Sequence, residues 1–252
     1  MMHFFTPDGL QKFKSYCHPQ TLFAFDYDGT LTPLTPTLSH ARVPLKTRKL
    51  LEALHRTVPI VIVSGRCVTD LKKLCSFTPT FFIGNHGLEG MNIHQKLKTR
   101  FQQVCKKWKE ELIKDISDIE GVELEDKKYS LAIHYRRASD RSYVKHSLWR
   151  CISRLSPFPK IILGKSVINL LPPSRLNKGI SLRMAMKKLK VKRALYIGDD
   201  QTDEDVFRLP SSILKIRVGR KNNSQAEFYL KNCFELNRFL TQALEMYQAC
   251  LS

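Results

Sequence analysis

The densest chemistry in the sequence lies where an apolar run ends. Thr21 to Phe25 (TLFAF) is followed at once by Asp26-Tyr27-Asp28-Gly29-Thr30. Carboxylates two residues apart can meet one Mg²⁺ if the loop curls, leaving Asp26 free to attack phosphorus and Asp28 to protonate the leaving oxygen. Gly29 lets the backbone come close to a phosphate, and Thr30 can cap the turn that follows. The same residues would also build an Asx-rich turn after a strand. Three further groups fall where phosphoryl chemistry needs them. Ser64, ending a second apolar run before Gly65-Arg66, offers a hydroxyl and loop amides to a phosphoryl oxygen, or an N-cap to the helix VTDLKKL. Lys178, in Asn177-Lys178-Gly179 at a helix start, can neutralise a phosphoryl group, or stand as one more solvated lysine in a lysine-rich chain. Asp199, in GDDQTDED, supplies a further carboxylate for Mg²⁺, with Asp200 and Asp203 near enough to ligate or to orient waters and the lysine. A helix N-terminus also favours acids there, but five carboxylates in seven residues of a basic chain speak for a cation.

These groups need a scaffold that brings distant segments to one edge. Residues 21–25 read as a buried strand that delivers a polar loop at its carboxyl end, and Pro59 to Val63 reads as a second. Between them Leu45, Leu50, Leu51 and Leu54 fall at mostly helical spacing, which makes a right-handed strand-helix-strand unit and starts a parallel sheet. Phe81-Phe82-Ile83 before Gly84-Asn85-His86-Gly87, and Ala194 to Ile197 before Gly198-Asp199-Asp200, repeat the pattern. Ile213 to Val218 adds another strand. Ligands of open α/β sheets bind beyond the carboxyl ends of the strands, where all these polar loops converge.

Residues 96–173 read differently. A long basic helix (FQQVCKKWKEELIKDISDI) leads to an alternating strand at Ser130 to Arg136, then to a helix in SYVKHSLWRCISRL and a hairpin in IILGKSVINLL turning at Gly164-Lys165. This is an α-β-β-α-β-β insertion with antiparallel strands. The chain therefore divides into a parallel α/β domain, 1–95 and 174–252, and an inserted domain, 96–173.

Composition narrows the partners. At 252 residues, with 42% hydrophobic and 26% charged residues, the chain is an ordinary folded one, and its net charge of +19 points to an anionic partner: nucleic acid, an anionic membrane surface or a phosphorylated small molecule. Seven scattered cysteines without a C-x-x-C pair argue for free thiols in a reducing compartment. No signal peptide and no run of about 18 apolar residues is found, so a cytoplasmic protein without a membrane span is expected. The basic runs KLKTRFQQVCKKWK and RMAMKKLKVKR lack the interleaved aromatics of a stacking platform, which argues against a nucleic-acid-binding module on this scaffold.

The ordered set DYDGT, Ser64 after a strand, Lys178 and GDDQTDED resembles the four motifs of the haloacid dehalogenase superfamily. More narrowly, SGR at 64–66, GNHGLEG at 84–90, LEDKKYSLAIHYR at 124–136, Pro172 with NKG at 177–179, and GDDQTDEDVF at 198–207 resemble the trehalose-6-phosphate phosphatase family. The resemblance runs from about Leu22 to Phe207. It implies a Rossmann-like core with an inserted α/β cap, and a Mg²⁺-dependent hydrolysis of trehalose 6-phosphate through an aspartyl-phosphate. In its terms Asp26 is the nucleophile and Asp28 the general acid, then base. Asp26, the Asp28 backbone carbonyl and Asp199 are the Mg²⁺ ligands, with Ser64 and Lys178 on the phosphoryl group. Glu125, Lys127, His134 and Arg136 match a cap segment used toward the sugar, while Arg66, Asn85, His86 and Glu89 match core loops facing it. The family's usual glutamate before the lysine motif is replaced here, in Val167-Ile168-Asn169-Leu170-Leu171-Pro172, by Asn169. Another sugar or glycosyl phosphate is the alternative substrate, and a functional link to a trehalose-phosphate synthase is the partner the resemblance suggests.

Overall fold

The computed structural model describes residues 1–34 and 41–251, with side chains through Ala249. The chain forms two compact units, Met1–Met91 with Leu176–Ser252, and Asn92–Arg175. The first unit opens with β1 (Met2–His3), α1 (Pro7–Lys14), β2 (Thr21–Phe25), α2 (Leu45–His55), β3 (Ile60–Val63), α3 (Val68–Leu74) and β4 (Phe81–Ile83). The second contributes α4 (Gln95–Ile116), β5 (Glu123–Asp126), β6 (Leu131–His134), α5 (Arg141–Ser153), β7 (Lys160–Gly164) and β8 (Val167–Leu171). The chain then returns to the first unit with α6 (Lys178–Leu189), β9 (Arg193–Gly198), α7 (Glu204–Phe207), β10 (Ile213–Val218), β11 (Phe228–Leu230) and α8 (Glu235–Leu251).

Seven parallel strands in the order β1-β11-β10-β9-β2-β3-β4 make the first unit's sheet. Its central strands β2 and β3 read as continuous apolar runs because both faces are covered. Along β2, Phe23 and Phe25 enter one cluster with the aromatic residues Phe4, Phe13, Phe239 and Tyr247, while Leu22 and Ala24 enter the opposite one with Leu182, Ala185 and Phe207. β3 divides in the same way, Ile60 and Ile62 against Val61 and Val63. Strand order reverses about β2, with β3 and β4 built outward on one side and β9 to β11 on the other, so the crevice between β2 and β9 is the place where a ligand fits.

The second unit is an antiparallel sheet, β5-β6-β8-β7, backed by α4 and α5. On α4 the buried residues Phe101, Cys105, Trp108, Leu112 and Ile116 recur every three or four positions, the stripe that a helix needs to lie on a sheet. Leu131, Ile133, Ile168 and Leu170 face those helices. Ala132, His134, Val167 and Asn169 therefore share the other face, because side chains alternate along a strand. Two local readings are corrected. The strand expected over Ser130 to Arg136 is held to Leu131–His134, and the hairpin turns at Lys165-Ser166 rather than Gly164-Lys165, with Ser166 at φ 59° taking the left-handed position. The short outer strands β1 and β11 carried too few residues for their periodicity to show in sequence.

Candidate active site

Asp26 stands at the carboxyl end of β2, 4% exposed, with its amide donating to Ile197 of β9 at 2.8 Å. Lys178 opens α6, whose N-cap Asn177 accepts from the Ile180 amide at 2.8 Å. That cap fixes where the lysine starts, and its ammonium donates to Asp26 Oδ1 at 2.8 Å and Asp203 Oδ1 at 2.7 Å with only 2% of the residue exposed. Burial alone would lower the Lys178 ammonium, but Asp203 and Asp26 more than offset it and hold the group cationic.

Asp199 lies at the end of β9. Asp26, Asp199 and Asp203 each offer a carboxylate oxygen, all within 4.8 Å of one another. Burial pushes Asp26 well above the usual carboxylate range, opposed by Lys178 and reinforced by Asp203 and Asp199. Burial, and then Asp203, push Asp199 up to about 6. When all three are ionised, the carboxylates against one ammonium leave two negative charges, which one divalent cation would balance. Oxygen donors in a tight carboxylate cluster are also what Mg²⁺ takes. The donor set fits such an ion.

The site distinguishes the acidic residues of GDDQTDED by what each touches. Asp203, fully buried, accepts from Lys178 and from the Tyr196 hydroxyl at 2.6 Å on one oxygen, and from the Asp200 amide at 2.8 Å on the other. It is thereby committed to holding the lysine. Asp200 completes a capping box with Asp203, and Glu204 accepts from Arg217 at 3.3 Å and from the Gln225 amide at 2.9 Å. Arg217 also donates to the carbonyls of Asp199 and Asp200, fixing the loop that presents Asp199. The cluster is thus less a single cation cage than the sequence suggested. Tyr196 and Arg217 escaped the sequence reading because each sits inside an apolar strand.

Gly29 is at φ 85°, and a Cβ there would come within 2.2 Å of Asp199 Oδ2, so only glycine lets the loop pass over that carboxylate. Thr30, expected to cap a turn, instead donates its hydroxyl to Asp199 Oδ1 at 3.1 Å. The Asp28 carboxylate does not join Asp26. Arg66 takes it in a two-pronged pair, Nε to Oδ2 at 2.7 Å and Nη2 to Oδ1 at 2.6 Å.

Ser64, 1% exposed, follows β3 and bonds its amide to Ile83 of β4; its hydroxyl accepts from the Arg66 amide at 3.1 Å. The N-cap of α3 is Cys67, so the capping role open to Ser64 in sequence is not the one it takes. Asn85 and Glu89 support their own loop: Glu89 Oε2 accepts from Asn85 Nδ2 and from the Val68 amide, each at 2.8 Å. Asn85 and His86 both adopt positive φ, 50° and 55°, and His86 lies where a Cβ on Gly65 would come within 2.4 Å of its ring.

In the second unit the polar sheet face gathers four of the expected residues. His134 Nε2 meets Glu125 Oε2 at 2.7 Å, Lys127 Nζ lies 3.8 Å from that same oxygen and donates to Asn169 Oδ1 at 3.2 Å, and Asn169 Nδ2 donates to the Ile162 carbonyl at 3.3 Å. Arg136 lies two residues beyond the end of β6, where its carbonyl accepts from Arg141 Nε at 3.1 Å. Among the described residues no helix is long and apolar enough to cross a membrane.

The profile of the trehalose-phosphatase family matches residues 24–231. "Probable trehalose-phosphate phosphatase D" of Arabidopsis thaliana is 26% identical over 261 residues, 92% of this chain and 69% of the relative. "Trehalose 6-phosphate phosphatase RA3" of Zea mays is 27% identical over 249 residues, 88% and 69% of the two chains. The fold matches a solved trehalose-6-phosphate phosphatase related protein (22% identity, 90% and 98% covered, TM-score 0.76). It also matches the C-terminal domain of the C. albicans trehalose-6-phosphate phosphatase (23%, 94% and 96%, TM-score 0.69). A haloacid dehalogenase-like hydrolase from B. subtilis shares the fold at 14% identity, covering 88% and 99% of the two chains (TM-score 0.55). The family profile spans Asp26 and its loop, the whole inserted unit and the loop that carries Asp199, and by that match the chain belongs to the trehalose-phosphatase family of phosphatases.

Proposed function

We propose that the protein hydrolyses trehalose 6-phosphate to trehalose and phosphate, with Mg²⁺ and through an aspartyl-phosphate on Asp26. The observation that carries this reading is Asp26 itself, at the end of a central parallel strand, bonded to a buried lysine and within carboxylate reach of Asp199. Asp26, Asp199 and the Asp28 backbone carbonyl would hold the ion. When bound, Mg²⁺ supplies the countercharge that a phosphate dianion needs to enter a carboxylate site.

The chain's own groups do the rest. Lys178 neutralises the phosphoryl group, and Ser64 with the neighbouring loop amides bonds its oxygens. Asp26 attacks phosphorus in line, forming the O–P bond as the bond to the sugar oxygen breaks; the departing oxygen takes a proton from Asp28. Asp28 then takes a proton from water as that water attacks the aspartyl-phosphate, which returns Asp26 and frees phosphate.

The inserted unit, 96–173, acts in this reading as a cap whose Glu125, Lys127, His134, Arg136 and Asn169 recognise the sugar. Arg66, Asn85, His86 and Glu89 serve the core side directly or by shaping their loops. A second reading, another sugar or glycosyl phosphate as the preferred substrate, is favoured by one observation: the Asn169 amide is engaged with Lys127 and a backbone carbonyl. A phosphate-release screen across sugar phosphates, with and without Mg²⁺, tests both. Metal-independent release, or no release from any sugar phosphate, rejects the first reading; a different best substrate selects the second.

A further inference from the structure

The sequence reading sent Arg66 toward the sugar, but the guanidinium lies on Asp28. The contact is a fork against a fork: two parallel N–H donors, at 2.7 and 2.6 Å, on the two oxygens of one carboxylate. Such pairs fix direction as well as distance, because a planar guanidinium and a planar carboxylate must lie nearly in one plane to make both bonds. Both side chains are largely shielded, 13% and 26% exposed.

The arginine is itself held from three sides. Its amide donates to the Ser64 hydroxyl at 3.1 Å, its carbonyl accepts from the Asn85 amide at 2.7 Å, and its guanidinium lies over the Tyr27 ring, 5.5 Å from the centroid. Gly65 before it has no room for a side chain, since the His86 ring occupies that space. Asp28 sits in an equally fixed loop, in which the Tyr27 carbonyl accepts from the amides of Leu31 and Thr32, and the Gly29 amide donates to the Thr32 carbonyl. The loop after β2 and the loop after β3 are therefore tied by this pair and by the stacking of Arg66 on Tyr27.

A guanidinium has donors only, so both Asp28 oxygens accept from it and the plane of the carboxyl group is set by the arginine. Each oxygen keeps a lone pair outside the fork. We propose that Arg66 is a positioning residue for the second half of the reaction: it aims the Asp28 carboxylate at the water that hydrolyses the aspartyl-phosphate. This rests on the two-step reading above. In the step it serves, the water oxygen bonds phosphorus, the phosphorus–Asp26 bond breaks with its electron pair returning to Asp26, and the water proton passes to Asp28. Arg66 touches none of the reacting atoms and acts through Asp28 alone.

The test uses the full chain with Mg²⁺ and two substrates, p-nitrophenyl phosphate and trehalose 6-phosphate, on Arg66→Gln and Arg66→Lys. With p-nitrophenyl phosphate the first step needs no acid, so kcat/KM reports phosphorylation of Asp26, and kcat reports hydrolysis wherever that step is the slower one. Misaimed general bases cost about 10- to 100-fold, so kcat of Arg66→Gln should fall by about that factor while kcat/KM stays within about threefold. Rapid mixing should then show a nitrophenol burst approaching one per active site, with phosphate label retained on acid-quenched protein. Arg66→Lys, which keeps charge but not the fork, should recover part of kcat. Arg66→Gln in an Asp28→Asn background should cost nothing further.

Losses confined to trehalose 6-phosphate would place Arg66 on the sugar and overturn the assignment, as would equal losses in kcat and kcat/KM, or none in either. Asp28→Asn, measured in parallel, separates the two levels. If it loses turnover while Arg66→Gln does not, only the role of Arg66 fails; if it turns over normally, the two-step mechanism fails with it.

Discussion

Lys178 and Asp26 are 152 positions apart and meet at 2.8 Å as a pair shielded from solvent. Asp203 also accepts from the same ammonium, at 2.7 Å. Removing one partner of a buried pair leaves the other charge uncompensated, which costs about 3–5 kcal/mol. Lys178→Met therefore leaves two buried carboxylates facing each other and is expected to lower Tm by several degrees as well as to abolish turnover. Asp26→Asn removes a charge from a crowded carboxylate set, so Tm should hold or rise. Its turnover should drop by at least about 10⁴-fold, since an amide is a poor nucleophile. Calorimetry beside a phosphate-release assay separates the two variants; near-normal release by Asp26→Asn would falsify the nucleophile assignment.

Metal and pH are linked at Asp199. Its carboxyl is raised from 3.8 to about 6 in the metal-free protein, by burial first and then by Asp203. A carboxyl raised on folding contributes stability that is present below the unfolded pKa and is lost as pH climbs through the folded one. The metal-free protein should therefore lose that contribution between about pH 4 and pH 6. Mg²⁺ binds the ionised form, so its stabilising effect should be small at the low end of this window and grow across it. Thermal unfolding from pH 4 to 7, with and without Mg²⁺, checks the sign. A metal-induced rise in Tm that shrinks with increasing pH would contradict it.

Recognition by the inserted unit predicts losses that depend on the substrate. Lys127 bridges Glu125 and Asn169, and His134 holds Glu125 at 2.7 Å. Binding energy from remote parts of a substrate is realised only when those parts are present. Lys127→Ala and Arg136→Ala should reduce kcat/KM for trehalose 6-phosphate by at least about tenfold, yet leave p-nitrophenyl phosphate within about twofold. Equal losses on both substrates would make these residues supports of the fold. His134→Gln tests the chain of contacts: an amide can still donate to Glu125, so its loss should be smaller than that of His134→Ala.

The parts of this arrangement that could be read in the sequence are those written in short, contiguous signals. β2, β3, β4 and β9 were legible because each is an apolar run ending in a polar loop, and the burial of both sheet faces is what makes such runs continuous. Asp26 and Asp199 stood out for their residue types at those loop positions, whereas Lys178, at a helix start in a lysine-rich chain, drew its meaning from them. What stayed hidden is pairing across the chain. Asp28 and Arg66 are 38 positions apart, and each taken alone suggests a substrate contact rather than the other as its partner. Thr30 and Arg217, which steady Asp199, carry no local pattern that marks them as its supports. Tyr196 reads as one more apolar strand residue, although its hydroxyl donates to Asp203. Spacing locates the candidate groups; the donors that fix them come from whichever segment the fold sets beside them.

Asn169 offers the sharpest test of substrate preference. It is 6% exposed on the polar face of its sheet, paired across β6 with Ala132 and across β7 with Ile162, whose carbonyl its amide group reaches at 3.3 Å. Its oxygen accepts from Lys127 at 3.2 Å. A glutamate here would bind Lys127 through a charge-assisted bond, worth about 1.5–3 kcal/mol against about 0.5–1.5 for a neutral acceptor. It would also leave the Ile162 carbonyl without this donor, and a longer carboxylate could reach sugar hydroxyls that the amide, tied to its own sheet, does not. We expect the natural protein to hydrolyse trehalose 6-phosphate best while tolerating other hexose phosphates. Asn169→Glu should raise the preference for trehalose 6-phosphate over glucose 6-phosphate and sucrose 6-phosphate by about tenfold, the equivalent of about 1.4 kcal/mol. Asn169→Leu separates fold from recognition: it removes the bond to Lys127 without adding charge, so it should weaken all sugar phosphates alike and leave p-nitrophenyl phosphate unchanged. Measured kcat/KM values across the four substrates decide the matter. If trehalose 6-phosphate is not the best substrate of the natural protein, or Asn169→Glu leaves the ranking and the ratios as they were, the position does not govern specificity.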